Sequence, residues 1–241
     1  MSATVVHELP MRWADLDSLN HVNNVVYLDY AAESRAMLAD EGLLDGGAVV
    51  TRIAIDFLRP LLLTSRPVQV ASTFEGAQLT QEISPQDSDT AFARVVTTFD
   101  EPQPLTRQSG AAGPLPTRVR RSDLDLSGAV STTQMFELFQ ESRVLHLSQR
   151  LTEMTPGRFV VGHVDVAYAA PMPWRVEPYE TYNWVSRVGS SSVTIESQLA
   201  DGDQVMAQCR SILVGFDLES QRSRPLSDTE KSEFASLSLP G

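Results

Sequence analysis

The residues best suited to chemistry in this 241-residue chain lie close together near its N-terminus. Ten consecutive residues hold the carboxylates Asp15 and Asp17, the imidazole of His21, and three asparagines between positions 20 and 24. A carboxylate can act as a nucleophile or deprotonate a water molecule, and an imidazole can polarise a carbonyl. A single Asp or Asn is commonly a turn or cap residue, but capping needs only one or two of them. The whole cluster therefore indicates chemistry.

A helix is expected to begin directly after this cluster. Apolar side chains recur at spacings of three and four from Val26 onward, which predicts a helix over about 24–41 that Asn23 or Asn24 can cap. Gly42 stands where a glycine is expected to end this helix. A helix N-terminus offers unpaired N–H groups and a partial positive charge. Both features stabilise an oxyanion, as acyl transfer requires.

An internal repeat organises the rest of the chain. Residues 12–35 match residues 120–143 at an offset of 108, with 8 identities in 24 ungapped positions. The carboxylates Asp15 and Asp17 recur in this match as Asp123 and Asp125. Apolar spacing predicts a second helix over about 132–150 that Ser131 or Thr132 can cap. β-branched and aromatic residues predict several strands after each helix. The predicted fold class is therefore α+β, with one helix and one antiparallel sheet in each half.

Composition places the boundaries between the predicted parts. Residues 1–104 form the first domain and 116–217 the second, and the Pro-, Gly- and Ser-rich stretch 105–115 is a linker. Residues 218–241 form a polar tail, in which Ser227 and Glu230 have the spacing of a capping box that opens a short helix.

Charge and composition exclude several classes of protein. The net charge of −12 argues against nucleic-acid binding, which needs a basic face. No apolar run approaches the ~20 residues that span a bilayer, and no secretory signal opens the chain, so no membrane partner is expected. A single cysteine, Cys209, cannot form an internal disulfide, which favours a cytoplasmic location. Metal-ligand spacings and phosphate-binding loops are missing from the sequence, so no metal is predicted.

The ordered residues after position 14 resemble the signature of hotdog-fold thioesterases. The resemblance is to the 4-hydroxybenzoyl-CoA thioesterase-like group and to plant acyl-ACP thioesterases, and it rests on Asp15-Leu-Asp17, His21-Val-Asn23-Asn24, Tyr27-Leu, Tyr30 and Glu33-Ser34-Arg35. It implies a tandem double hotdog, in which each half is a long helix wrapped by a curved antiparallel sheet. The two halves would pair across a continuous sheet like a dimer fused into one chain, and such chains can form homo-oligomers.

The resemblance also implies roles for individual residues. Asp17 is the catalytic carboxylate, and His21 and Asn23 assist it. Backbone N–H groups from Asn23 to Val25, with Asn24 between them, form the oxyanion hole. Tyr27 is expected to line the core or the acyl pocket. The plant enzymes carry an asparagine two residues after the catalytic aspartate, where this chain has leucine at position 19; Asn20 or Asn23 could compensate. The substrate is an acyl-CoA or acyl carrier protein thioester, and no cofactor is expected because coenzyme A arrives as part of the substrate.

The second half keeps the carboxylate as Asp125 but has Ala129 and Ser131 where His21 and Asn23 lie. One interpretation is a weakened site. The other is that this pattern resembles the 4-hydroxybenzoyl-CoA thioesterases, which work with the aspartate and the helix N-terminus alone.

The charge distribution suggests where an anionic substrate binds. The first 105 residues carry 6 basic and 15 acidic residues, whereas residues 106–216 carry 10 and 11. Since coenzyme A is anionic, the acidic first half is a poor host for its phosphates. Arginines of the second half, such as Arg158 or Arg175, are therefore predicted to contribute to coenzyme A binding at the Asp17 site.

Two other functions compete with thioester hydrolysis. Hotdog-fold enoyl-CoA hydratases and dehydratases also use Asp and His, but their motif resembles Asp-x-Asn-Pro-Leu-His. The stretch from Asp17 to His21 lacks that proline and that spacing. A non-catalytic acyl-CoA-binding protein would keep His21 and the asparagines for binding alone.

Overall fold

The structure is a computed structural model that describes residues 4–17, 20–86, 88–111, 113–152 and 158–239. The chain divides into two compact units, residues 1–101 and residues 102–241. Each unit contains one long helix packed on an antiparallel sheet, which confirms the α+β prediction for both halves.

The first unit is a five-stranded sheet with one helix. Its elements are β1 (Thr4–Leu9), a short 3-10 helix (Trp13–Asp15), α1 (Asn24–Asp40), β2 (Val50–Phe57), β3 (Val68–Glu75), β4 (Gln78–Pro85) and β5 (Ala93–Phe99). The strand order is β1-β3-β4-β5-β2, and every neighbouring pair is antiparallel. Helix α1 contacts β1, β3, β4 and β5, so it covers one face of this sheet.

The second unit repeats this order and extends it. Its elements are β6 (Leu115–Thr117), a 3-10 helix (Arg121–Asp123), α2 (Thr132–Ser148), β7 (Phe159–Tyr168), β8 (Tyr179–Val188), β9 (Ser192–Asp201), β10 (Gln204–Asp217), β11 (Arg222–Ser223) and α3 (Asp228–Ala235). The strands lie in the order β7-β10-β9-β8-β6, all antiparallel, and β11 pairs with the end of β10.

The two long helices correspond residue by residue. Both have 17 residues, and their bounds differ by the same offset of 108 that the sequence shows. Asn23 caps α1 and Ser131 caps α2, each through its side-chain oxygen. Gly42 follows the last turn of α1 with φ of +71°, the left-handed conformation that ends many helices. The predicted start of each helix and this glycine are confirmed.

Alternation along the strands places the cores. In β3, β4 and β5 every second residue is buried, as expected for a sheet covered by a helix on one face. The second unit has a buried apolar cluster where its sheet meets the C-terminal helix, which includes Leu147, Val185, Leu213 and Phe234. Leu145 of α2 is 43% exposed, so it lies outside this core.

The predicted linker and tail both pack on the second unit. The Gln108 amide donates to Gln198 on β9, and the Gln198 side chain donates to the Thr106 carbonyl. In the tail, Ser227 and Glu230 form the predicted capping box of α3, and this helix buries Phe234 completely. The prediction of a polar tail did not include this apolar side of α3.

None of the described helices is long and apolar enough to cross a membrane.

Candidate active site

The segment from Asp17 to His21 is a tight loop immediately before α1. Leu16 and Val22 form an antiparallel bridge at its base, and the Asp17 N–H donates to the His21 carbonyl at 2.8 Å. Asn20 has φ of +64°, in the left-handed region that asparagine tolerates better than most residues. Residues 18 and 19 lie outside the described residues, so the departure at Leu19 receives no structural account.

The loop brings the Asp17 carboxylate and His21 together. The His21 backbone N–H donates to Asp17 Oδ1 at 3.1 Å, which orients the carboxylate, and both residues are half-buried. The imidazole of His21 makes no hydrogen bond to any described residue. It is therefore available to a ligand.

The backbone amides at the start of α1 are not equivalent. The Asn23 N–H donates to the Asp15 carbonyl at 2.8 Å, and the Val25 N–H donates to the Asn23 side chain at 3.0 Å. Within the described part of the chain, the Asn24 N–H meets no acceptor. Of the three amides expected in an oxyanion hole, only that of Asn24 is open. Asn23 acts as the cap, so its side chain positions the helix.

Asp15 anchors the loop to α1 from the other side. Its Oδ2 accepts the Tyr30 hydroxyl at 2.7 Å and the Arg12 N–H at 2.7 Å. Burial raises the pKa of Tyr30, and the carboxylate of Asp15 raises it further, so this phenol is a permanent donor at neutral pH. Asp15 has a structural role beside the half-buried Asp17.

Tyr27 braces the loop through the segment that follows β2. Its hydroxyl accepts the Leu61 N–H at 2.9 Å and donates to the Arg59 carbonyl at 3.4 Å. The Leu61 carbonyl in turn accepts the Val22 N–H at 2.8 Å. Burial raises the pKa of Tyr27 to about 12, and the negative charge of Asp17 contributes to that rise. Tyr27 is 2% exposed, and its observed bonds give it a positioning role. A place of its ring in the acyl pocket stays a prediction.

Replacing Tyr27 with phenylalanine should therefore lower activity by loosening the loop. The variant removes the hydroxyl that accepts the buried Leu61 N–H. Leaving a buried donor without an acceptor lowers the free energy of unfolding by on the order of 1–3 kcal/mol. We expect the turnover number to fall about tenfold with a smaller change in KM. Tyr168→Phe, which removes a hydroxyl that donates to the Thr132 carbonyl in the second unit, is the matched control. Equal activity losses in both variants would contradict the positioning role.

The corresponding loop of the second unit has the same backbone but a different carboxylate. The Asp125 N–H donates to the Ala129 carbonyl at 2.8 Å, and Gly128 takes the left-handed conformation of Asn20. The Asp125 carboxylate is exposed and accepts the amide and the hydroxyl of Ser127, at 2.8 and 2.6 Å. Because its Oδ1 caps its own turn and no imidazole stands at position 129, this loop offers less chemistry than the first.

The two arginines predicted to hold coenzyme A both have partners within the second unit. Arg158 donates to the buried Glu230 at 2.9 Å. Arg175 pairs with Asp201 at 2.6 Å and stacks on the ring of Tyr179 at 3.7 Å. Their role in substrate binding stays a prediction, and a phosphate would have to compete with these carboxylates.

A second arrangement of catalytic residue types lies between β1 and α1. His7 Nδ1 is 2.9 Å from the Ser34 hydroxyl, and His7 Nε2 is 3.3 Å from the Glu41 carboxylate. This has the composition of a Ser-His-acid triad. However, Ser34 is 0% exposed and also bonds to Ser72, so the arrangement ties the edge strand to the helix.

Cys209 and His146 are both buried. Burial raises the pKa of the Cys209 thiol to about 11, so the thiol is protonated at neutral pH and is a poor nucleophile. Burial also lowers the pKa of His146 to about 4. No group of three metal-ligating side chains occurs in the parts of the chain that the structure describes.

Two protein-family models match parts of this chain. Residues 119–234 match the family model described as the thioesterase-like superfamily. Residues 1–61, which hold the Asp17 loop and α1, match the acyl-ACP thioesterase C-terminal domain. Each of the two units therefore matches a thioesterase family model over part of its length. The resemblance that the sequence motif carries is thereby confirmed.

Solved structures of similar fold extend over almost the whole chain. A protein assigned as an oleoyl thioesterase from Lactobacillus plantarum has a TM-score of 0.67 at 14% identity and covers 90% of this chain and 98% of its own. The 12:0-ACP thioesterase from Umbellularia californica has a TM-score of 0.68 at 12% identity, with 92% and 94% covered. An acyl-ACP thioesterase from Bacteroides thetaiotaomicron has a TM-score of 0.63 at 14% identity, with 87% and 97% covered. These likenesses show a hotdog-like thioesterase fold. No curated protein matches the chain significantly.

Proposed function

We propose that the protein hydrolyses an acyl thioester of coenzyme A or of acyl carrier protein at the Asp17 loop. The observation that carries the proposal is the carboxylate of Asp17, oriented by the His21 amide directly before the N-terminus of α1. The thioesterase matches of both units support the reaction class. A tandem pair of hotdog units, one per half, agrees with the helix and sheet in each unit.

Two routes are open for the attack on the thioester carbonyl. Asp17 can attack directly, which forms an acyl–carboxylate anhydride and expels the thiolate; water then hydrolyses the anhydride. Alternatively Asp17 deprotonates a water molecule that adds to the carbonyl carbon. Either route consumes one water molecule and yields a carboxylic acid and a thiol. Neither route needs a metal or a redox cofactor.

The helix N-terminus would stabilise the oxyanion in both routes. The open Asn24 N–H is the donor that we assign to the developing charge, and the partial positive charge of the α1 N-terminus adds to its effect. The Val25 N–H contributes through the cap, because it holds Asn23 and hence the first turn in place. His21 is placed to polarise the carbonyl or to protonate the leaving thiolate.

Replacing His21 with alanine tests the imidazole separately from the loop. The ring has no hydrogen bond to a described residue, so the variant should keep its melting temperature. Turnover should fall about 10–100-fold at saturating substrate, because a positioned proton donor is lost while the backbone bond to Asp17 remains. An unchanged turnover number would remove His21 from the mechanism.

A thioester panel distinguishes hydrolysis from the other two functions. Thiol release is measured with a thiol reagent on acyl-CoA and acyl carrier protein substrates of different chain length, including aromatic acyl groups. The proposal predicts thiol release from at least one substrate class. A change in enoyl absorbance without thiol release would identify a hydratase, and saturable binding without either signal would identify an acyl-CoA-binding protein.

A further inference from the structure

A cavity of about 550 Å³ lies in the second unit, beside the flank of α2. Its walls come from β6 with the segment that follows it, and from the side of α2 that includes Leu138 and Leu145. The volume is in the range of small-molecule pockets. One of the residues that line it is Asp123, which is 6% exposed.

The first unit shows what is missing around Asp123. There the equivalent Asp15 accepts two donors at one oxygen, the Arg12 amide and the Tyr30 hydroxyl, both at 2.7 Å. In the second unit the Arg120 amide donates to Asp123 Oδ2 at the same 2.7 Å. The offset of 108, however, places Leu138 where Tyr30 stands. The phenol of the first unit therefore has no counterpart in the second.

The carboxylate of Asp123 is left with an unused acceptor position. Within the described residues, its Oδ2 accepts only the Arg120 amide, and its Oδ1 accepts the Ser122 hydroxyl at a long 3.3 Å. Burying a carboxylate is costly unless hydrogen bonds satisfy it. A donor supplied by a ligand would restore the arrangement that the first unit builds from its own chain.

A second residue with a polar ring in the first unit, His7, is also replaced by leucine in the second unit. The offset puts Leu115 where His7 stands in the first unit, and β6 has three residues where β1 has six. Leu115 lines the cavity together with Leu138, so two side chains that carry polar rings in the first unit are leucines here. Beside these leucines the lining also includes polar side chains, among them Thr117, Gln134 and Ser142. Asp123 is the one buried charged residue of the lining, and its carboxylate is an acceptor.

We propose that this cavity binds a small phenol, whose ring lies against Leu138 and whose hydroxyl donates to Asp123 as the Tyr30 hydroxyl donates to Asp15. A phenol is neutral and a donor at pH 7, since its pKa is near 10. Leu115, Leu138 and Leu145 supply the apolar contacts. At the rim Arg118 and Glu141 present charges of both signs. The inference does not depend on thioester hydrolysis.

Three probes of similar shape test the proposal on the unmodified chain. p-Cresol has the ring and the donor, 4-methylanisole has its hydroxyl blocked by a methyl group, and toluene has no oxygen. Titration calorimetry should show saturable binding of p-cresol, with the other two probes about 10–100-fold weaker, because they cannot bond to the carboxylate. Binding of 4-methylanisole as tight as that of p-cresol, or no binding of p-cresol, would overturn the proposal.

Two variants locate the site. Leu138→Tyr supplies the missing phenol from the chain itself, so it should abolish p-cresol binding and raise the melting temperature by a few degrees. Leu138→Met keeps an apolar side chain of similar volume and should bind p-cresol within about threefold of the parent. Unchanged affinity in a folded Leu138→Tyr variant would overturn the proposal. If that variant does not fold, the three probes on the parent chain still decide it.

Discussion

Thiol release should fall about 10²–10⁴-fold when Asp17 is replaced with asparagine, the range expected for loss of a catalytic base. The carboxamide is close in shape to the carboxylate, and its oxygen can still accept the His21 amide that now donates at 3.1 Å. The loop and the start of α1 should therefore keep their geometry. What is lost is the negative charge that attacks the thioester or deprotonates water.

Binding and fold serve as the controls for this variant. The KM for the thioester should change less than threefold, because the Asn24 N–H and the helix N-terminus remain. The melting temperature should stay within a few degrees of the parent. A variant that unfolds would be replaced by Asp17→Ser, and a loss seen only as a raised KM would mean that Asp17 binds substrate without reacting with it.

Replacing Glu230 with glutamine should lower the free energy of unfolding of the second unit by about 3 kcal/mol. This carboxylate is 2% exposed and accepts a two-pronged bond from Arg224, at 2.7 and 2.8 Å, and a third from Arg158 at 2.9 Å. It also accepts the Ser227 amide at the start of α3. The neutral variant leaves two guanidinium groups without their common carboxylate, so α3 should separate from the sheet first.

The same carboxylate makes stability depend on pH in a defined direction. The bonds from Arg224 lower the pKa of Glu230 from 4.5 to about 2 in the folded chain. Its contribution is therefore complete above about pH 4.5 and is lost as the pH falls towards 2. Urea unfolding at pH 6 and pH 3 should show a smaller pH effect in Glu230→Gln than in the parent. Asp228→Asn, an exposed change on the same helix, should leave that pH effect intact.

Much of the site could be predicted because it is local. Asn23, Ser131 and Gly42 mark helix ends through preferences that act within one turn of the chain, and each stands at the end where it was expected. The residues from Asp15 to His21 form an ordered motif in the sequence. The repeat at an offset of 108 predicts the corresponding loop in the second half.

The contacts that sequence reasoning missed join residues far apart in the chain. Tyr27 meets Leu61 across 34 residues, and Arg158 meets Glu230 across 72. Nothing in the local pattern around Arg158 distinguishes a structural arginine from one that binds a phosphate, because its partner depends on where α3 packs. The same holds for Arg175, whose partner Asp201 is the last residue of β9. The two partners share no feature that the sequence shows, since Glu230 is 2% exposed and Asp201 is 49% exposed.

Asn23 shows a related limit. Its type suits both a catalytic carboxamide and a helix cap, and only the bond from the Val25 N–H to its side-chain oxygen decides that it caps α1. The open Asn24 N–H is likewise identified only when each backbone donor of the loop is assigned its acceptor, and this assignment requires the structure.

The most direct test of thioester hydrolysis at the Asp17 loop measures thiol release by the parent, Asp17→Asn and Asp125→Asn side by side at saturating substrate. Asp125 is exposed and bonded to Ser127, so its variant should keep at least about half of the parent rate, whereas Asp17→Asn should lose 10²-fold or more. Full thiol release by Asp17→Asn would contradict the account.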